Sequence, residues 1–275
     1  MRKKVKFKAV FVLTLLSVII FASVCAPFLA PYPPNATDMS VRLQGPSWSH
    51  PLGTDALGRD MLSRVLYGGR TSMLLALTAT VLSMSCGMIL GIVAGYYGGP
   101  VDWLTTVLAN IFQGLPSTSF MIAIAGALGP SIQSLLLALV LTSWAGFSRV
   151  VRTEVLRQRE ESYIEGMRCL GSGDLRLITR HILPNIMNNM LILFTTRVGR
   201  SVLVIASLSF LGLGVQPPTP DWSVMINDAR LHYRSAPHLL LVPGMCIFLL
   251  VLSINMLGDV LRDRFDVRHE EVREC

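Results

Sequence analysis

Arg197 and Arg200 stand inside an otherwise apolar block of this 275-residue chain, three residues apart and so on one face of a helix. A charge at membrane depth costs at least about 2.5 kcal/mol even on insertion scales, so both must face protein or water. Three readings are open: they line a passage for anions, they pair with an acidic group on a partner subunit, or the span lies shallower than drawn. The other chemistry-bearing side chains do not converge. The five histidines are scattered, and His50 with Asp55 lacks a metal-ligand set. Cys25, Cys86, Cys169, Cys246 and Cys275 have no paired spacing and read as packing thiols. There is no phosphate loop of the G-x-x-x-x-G-K-[ST] kind, no nucleophile–base pair and no flavin fingerprint. The chain is expected to be neither an enzyme nor a cofactor protein, with no catalytic and no metal-binding residue.

A second constellation is positional. Residues 161–184, ESYIEGMRCLGSGDLRLITRHILP, are polar enough to lie outside a bilayer yet sit between two apolar blocks. Ile164, Met167 and Leu170 recur at helical spacing, and so do Leu175, Ile178 and Ile182. Between them Gly171, Ser172, Gly173 and Asp174 read as a helix stop followed by a cap. Pro184 and Asn185 are expected to break the pattern. Two short amphipathic helices at a corner make a knob that another protein could grip; a loop that only joins two spans is the plainer reading.

The elements positioning these residues are membrane helices. Hydrophobic residues make up 52% of the chain and charged ones 15%, where soluble domains run at about 25% charged. Spans are expected at Ala9–Ala30, Met73–Gly95, Trp103–Leu128 with a kink at Pro116, Ile132–Phe147, Ile186–Leu213 and His238–Leu257. A secretory signal is the competing reading of the first. A short amphipathic helix bearing Leu62, Val65 and Leu66, capped from Gly53-Thr54-Asp55, is expected to precede the second span. Gly87, Gly91 and Gly95 make a small-residue stripe for close helix packing. Tyr96 and Tyr97 suit the membrane interface. Six spans place both termini inside, with sixteen Lys or Arg on the inner segments against six on the outer ones. The net charge of +7 is explained by this bias, without nucleic acid.

Residues 161–185 resemble the cytoplasmic coupling loop of ABC importer permeases. The family pattern is Glu-Ala-Ala, three residues, Gly, nine residues, Ile-x-Leu-Pro. Glu165, Gly171, Leu183 and Pro184 hold the required spacing, while Gly166 and Met167 replace the alanines and His181 the first isoleucine. Two further blocks, His50–Ser72 with GTDALGRDMLSR and Gln216–Arg230 with QPPTPDWSVMINDAR, resemble the dipeptide, oligopeptide and nickel branch. WSVMINDAR is somewhat nearer the nickel members. In that family the positions of Arg197 and Arg200 are usually uncharged.

The resemblance implies an all-α polytopic membrane protein of the type I ABC importer fold. Its parts would be an N-terminal helix and outer segment (1–68), a transmembrane domain (69–259) and a cytoplasmic tail (260–275). The chain would be a multi-pass permease of a bacterial inner membrane, importing peptides or nickel and metal chelates. Expected partners are a second homologous permease, two cytoplasmic ATP-binding subunits that hydrolyse ATP, an extracytoplasmic substrate-binding protein and membrane lipid. ATPase coupling would fall to Glu165, Gly166, Gly171, Ser172, Asp174, His181, Leu183 and Pro184. The substrate pathway would include Arg197, Arg200 and Pro116. The alternative, an ion-coupled secondary transporter, lacks an obvious carboxylate within the spans.

Overall fold

A computed structural model describes residues 2–265, with side chains from residue 9. The basic side chains of residues 1–8, most of the expected tail and Cys275 lie outside the described residues. The described chain is helical throughout, apart from loops and one isolated bridge between Thr54 and Asp60.

Helix α1 (Arg2–Val24) is followed by a single turn, α2 (Ala26–Leu29), and a loop with a 3₁₀ turn at Met39–Val41. Helix α3 (Met61–Tyr97) then runs unbroken for 37 residues. The short helix expected before the second span is therefore the first part of that span. Its cap is Asp60, whose carboxylate accepts from the Ser63 backbone N–H at 2.8 Å. Asp55 instead caps its own loop, accepting from the N–H groups of Leu57 and Arg59. Gly68 and Gly69 do not interrupt α3. They clear space for Trp222, whose ring would lie 2.7 Å from a Cβ on Gly69.

Helices α4 (Gly99–Gly114) and α5 (Ser117–Leu128) meet at 89°. The expected kink is thus a full break, since Leu115, preceding Pro116, is forced into extended backbone. The pair still crosses the bundle, because its partners step steadily back along α6 (Ile132–Arg159). Asp102 pairs with Arg152, Phe112 packs on Trp144, and the chain re-enters α6 through the Ser131 cap.

Helix α6 outruns its expected end and carries Arg149, Arg152, Arg157 and Arg159 on its last turns. It packs directly on the small-residue stripe of α3. A Cβ on Gly87, Gly91 or Gly95 would stand 2.7, 2.6 and 2.9 Å from the carbonyl oxygens of Trp144, Ser148 and Arg152. Those carbonyls are spaced every four residues, as the glycines are, so the two backbones run together like a closed seam.

After α6 come α7 (Ser162–Cys169) and α8 (Asp174–Leu177). A π turn at Ile178–Ile182 leads without a stop into α9 (Leu183–Phe210). Pro184 does not end the helix as expected. It sits in the first turn of α9, and the wide π turn preceding it relieves the missing N–H and the ring's clash with the earlier carbonyl. Helix α10 (Trp222–Ala229), capped by Asp221, lies over the start of α3. Helix α11 (His238–Phe265) completes the bundle against α9.

Among the described residues, four helical stretches are long and apolar enough to cross a membrane: α3, α6, Asp174–Phe210 and α11. The broken α4–α5 pair makes a fifth if it is one span. The remaining expected span corresponds to α1, whose described apolar part is Ala9–Val24.

Candidate functional site

The knob is built from its apolar face outward. Ile164, Leu177, Ile182 and Ile186 are fully buried against Val151 and Val155 of α6, in a core separate from that of the bundle centre. Burial of each such side chain contributes about 1.5–3 kcal/mol. Helix α7 ends in a Schellman turn: the Ser172 N–H reaches the Met167 carbonyl at 3.1 Å and the Gly171 N–H that of Arg168 at 3.0 Å. Gly171 holds φ +84°, a region that L side chains avoid. No atom lies within 4 Å of a Cβ placed there, so its constraint is backbone conformation and not crowding. On the far side Leu170 and Leu175 are 87% and 75% exposed.

The coupling residues named from sequence fall in two groups. Glu165, Gly166 and Gly171 are exposed on the knob, with Ser172 half-buried in its turn. Asp174 opens α8 without capping it; the cap position is Gly173, which has no side chain to bond. His181 and Leu183 are half-buried where the π turn joins α9, and Pro184 is exposed there. One residue was missed. Tyr96, expected at the lipid interface, is 4% exposed and belongs to the knob's core. Its hydroxyl donates to Asp174 Oδ1 at 2.7 Å, and Arg159 Nη1 donates to its carbonyl at 2.9 Å. Only its neighbour Tyr97 is exposed.

Near the middle of α3, α6 and α9 lies a cavity of about 330 Å³. Arg197 and Arg200 line it, together with Thr80, Ser83, Thr142 and Ser143. The Arg197 guanidinium lies over the Phe147 ring, 5.6 Å from its centroid. Pro116 is exposed and outside the lining, but its neighbours Leu115 and Ser117 belong to it, so the α4–α5 break forms one wall.

At the opposite end from the knob the loops form an ionic network, buried at Asp55, Arg59 and Arg64 and half-buried at Asp228. Arg59 Nε donates to Asp55 Oδ2 at 2.6 Å and its Nη2 to Asp228 Oδ2 at 3.4 Å. Arg64, 1% exposed, donates to the Pro34 carbonyl. His50 pairs through Nδ1 with Asp60 at 2.9 Å and not with Asp55. Burial raises the Asp228 carboxyl above its ordinary range, against the opposing pull of Arg59 and Arg64. Ser72 of α3 donates to Asp221 at 2.7 Å, and Trp222 Nε1 to the Val65 carbonyl at 2.8 Å. The two outer sequence blocks thus interlock, an arrangement invisible while they stand about 150 residues apart.

Residues 87–270 match the model of the family described as binding-protein-dependent transport system inner membrane component. The chain belongs to that family. Residues 8–46 of the permease also match the N-terminal transmembrane domain of oligopeptide transport permease C. The glutathione transport system permease protein GsiD of Pectobacterium atrosepticum is 38% identical over 256 residues, covering 93% of this chain and 84% of that protein. The dipeptide transport system permease protein DppC of Alkalihalophilus pseudofirmus is 40% identical over 264 residues, covering 96% and 86%.

Among solved structures, an amino acid ABC transporter crystallised with histidines matches at TM-score 0.59 and 15% identity, covering 74% of this chain and 94% of that one. The inward-facing MetNI methionine ABC transporter matches at 0.58 and 16%, covering 74% and 97%. The permease therefore has the type I ABC importer fold and is a multi-pass inner membrane component. The ion-coupled secondary transporter is set aside, because family and fold neighbours alike are ABC importer permeases.

Proposed function

We propose that the permease forms half of the translocation pathway of an ATP-driven importer of short peptides. The observation that carries this reading is the knob: a packed apolar base, a sharp Schellman corner and two leucines presented to solvent. A connecting loop needs none of these. A separate ATPase subunit that grips Leu170 and Leu175 would move α7 and α8 as one piece, because Ile164 and Leu177 anchor them in the same core.

Glu165, Gly166, Gly171, Ser172, Asp174, His181, Leu183 and Pro184 then form the coupling element. Arg197, Arg200 and the break at Pro116 belong to the pathway. Both termini and the knob face the cytoplasm, and the Asp55–Asp228 end faces outward. The partners are a second homologous permease, two ATP-binding subunits that hydrolyse the ATP, and an extracytoplasmic binding protein. The division into residues 1–68, 69–259 and 260–275 belongs to the same reading, with its first boundary inside α3. The named relatives handle glutathione and dipeptides, which favours peptides over nickel or metal chelates.

Purification of the tagged permease from its native host in mild detergent, with mass spectrometry of what accompanies it, tests the assembly. Recovery of a second permease and an ATPase supports the reading, and the attached binding protein identifies the substrate. Recovery of the chain alone, as an oligomer that transports without ATP, would overturn it.

A further inference from the structure

The cavity at mid-bundle combines features that a mere packing defect would not. Of the 24 Lys and Arg in the chain, sixteen lie on the segments assigned inside and six on those assigned outside. The remaining two are Arg197 and Arg200, and both line this cavity. Among the described residues neither makes an ion pair or a hydrogen bond, and the cavity lining holds no carboxylate. Gly146 leaves the space that the Arg197 guanidinium occupies: a Cβ there would stand 3.0 Å from Nη2. Two cations so placed need water or an anion.

The hydroxyl groups around them are complementary. Thr80 donates to the Ala76 carbonyl at 2.7 Å, Ser83 to Ala79 at 2.7 Å and Thr142 to Ala138 at 2.8 Å. With their hydrogens spent on the helix backbone, these hydroxyls offer acceptor lone pairs, one of which on Thr80 already receives the Ser201 hydroxyl at 2.9 Å. The wall therefore presents cationic donors beside neutral acceptors, with Gln113 and Ser143 able to donate or accept. A carboxylate suits the first and an amide or ammonium N–H the second.

We infer that Arg197 and Arg200 make this cavity an anion-selecting passage that favours peptides carrying more than one carboxylate over neutral or cationic ones. The inference rests on the proposed pathway and names the substrate class it passes. A low-dielectric cleft lined by one sign of charge raises the local concentration of the opposite sign by an order of magnitude or more.

The test places a reporter thiol in the cavity with Ser143→Cys and treats membrane vesicles carrying the full complex with charged methanethiosulfonate reagents. Site-specific mass spectrometry reads modification at position 143 alone, so the natural cysteines stay in place. Relative to its rate with a free small thiol, the anionic sulfonatoethyl reagent should react about tenfold faster than the cationic trimethylammonioethyl reagent. Adding Arg197→Gln and Arg200→Gln should abolish that ratio, and Arg197→Lys with Arg200→Lys should keep it. Equal rates for both reagents in the parent, each taken relative to its rate with a free small thiol, would overturn the anion filter while leaving the pathway standing, as expected if a partner carboxylate neutralises the pair. Reaction with neither reagent would mean a cavity closed to water and would remove the pathway reading itself.

Discussion

The Tyr96 hydroxyl donates a 2.7 Å hydrogen bond to Asp174 Oδ1, tying the last turn of α3 to the first turn of α8. Arg168 adds to the same junction, with its guanidinium 5.6 Å from the Tyr96 ring centroid and Nη2 3.4 Å from the hydroxyl. Helix α3 also lines the mid-bundle cavity through Thr80 and Ser83. A displacement of the knob thus has a direct mechanical route to the cavity wall. Helix α6 lies on the same route, packed directly on Gly87, Gly91 and Gly95 of α3.

Tyr96→Phe removes one hydrogen bond, worth about 1 kcal/mol, and leaves the buried ring in place. Complex assembly should be retained, while substrate imported per ATP hydrolysed falls severalfold. Asp174→Ala should behave the same way, Asp174→Asn should keep most of the coupling because Oδ1 still accepts, and the double change should be no worse than either single one. An unaltered transport-to-hydrolysis ratio in Tyr96→Phe would show that the bond transmits nothing.

Gly171→Asp acts on conformation, because the position is open but left-handed. The cost is about 1–2 kcal/mol of backbone strain, enough to unwind the Schellman corner and displace Leu170. Co-purification of the ATPase should drop for Asp and less for Asn, which tolerates this region better. Recovery of the ATPase at parental levels with both variants would separate the corner from docking.

Gly91→Leu should be the most damaging single change in the bundle. Even its Cβ would press within 2.6 Å of the Ser148 carbonyl, and backbone cannot yield as a side chain can. Loss of about 3 kcal/mol, the upper end for overpacking, is expected, read as loss of monodisperse protein in detergent. Gly126→Leu, where a Cβ meets nothing within 4 Å, is the control and should purify normally.

Asp228 gives a pH dependence with a definite sign. Its folded-state pKa is raised by burial, so the ionised carboxylate disfavours the fold above that raised value. The penalty fades as pH falls through the raised pKa and is gone below the ordinary carboxylate range. Asp228→Asn should therefore have the higher thermal midpoint at neutral pH, with the gap to the parent closing in acid. A gap that instead widens in acid would mean that pairing with Arg59 outweighs burial.

Much of this was legible in the residues. Blocks of about twenty apolar residues announce membrane helices, because backbone polar groups in lipid must be satisfied within the segment. The positions of Glu165, Gly171, Leu183 and Pro184 marked the knob. Helix ends were harder to read. Gly68-Gly69 and Pro184 look like breaks in isolation, yet Trp222 fills the space beside the glycines and a π turn absorbs the proline. Pro116 erred the other way, from an expected kink to a bend of 89°.

The sequence by itself determined the class of the molecule, the number of apolar blocks and the helix face shared by Arg197 and Arg200. All of these follow from composition and local periodicity. Only the tertiary structure decided that the two arginines enter one cavity whose lining, among the described residues, holds no carboxylate. It also decided that Tyr96 turns inward to Asp174 and that the outer blocks lock through Asp221 and Trp222. Those pairings join residues 78 to 157 positions apart, and no local pattern encodes such a distance. They arise when a buried donor must find an acceptor after the helices have packed.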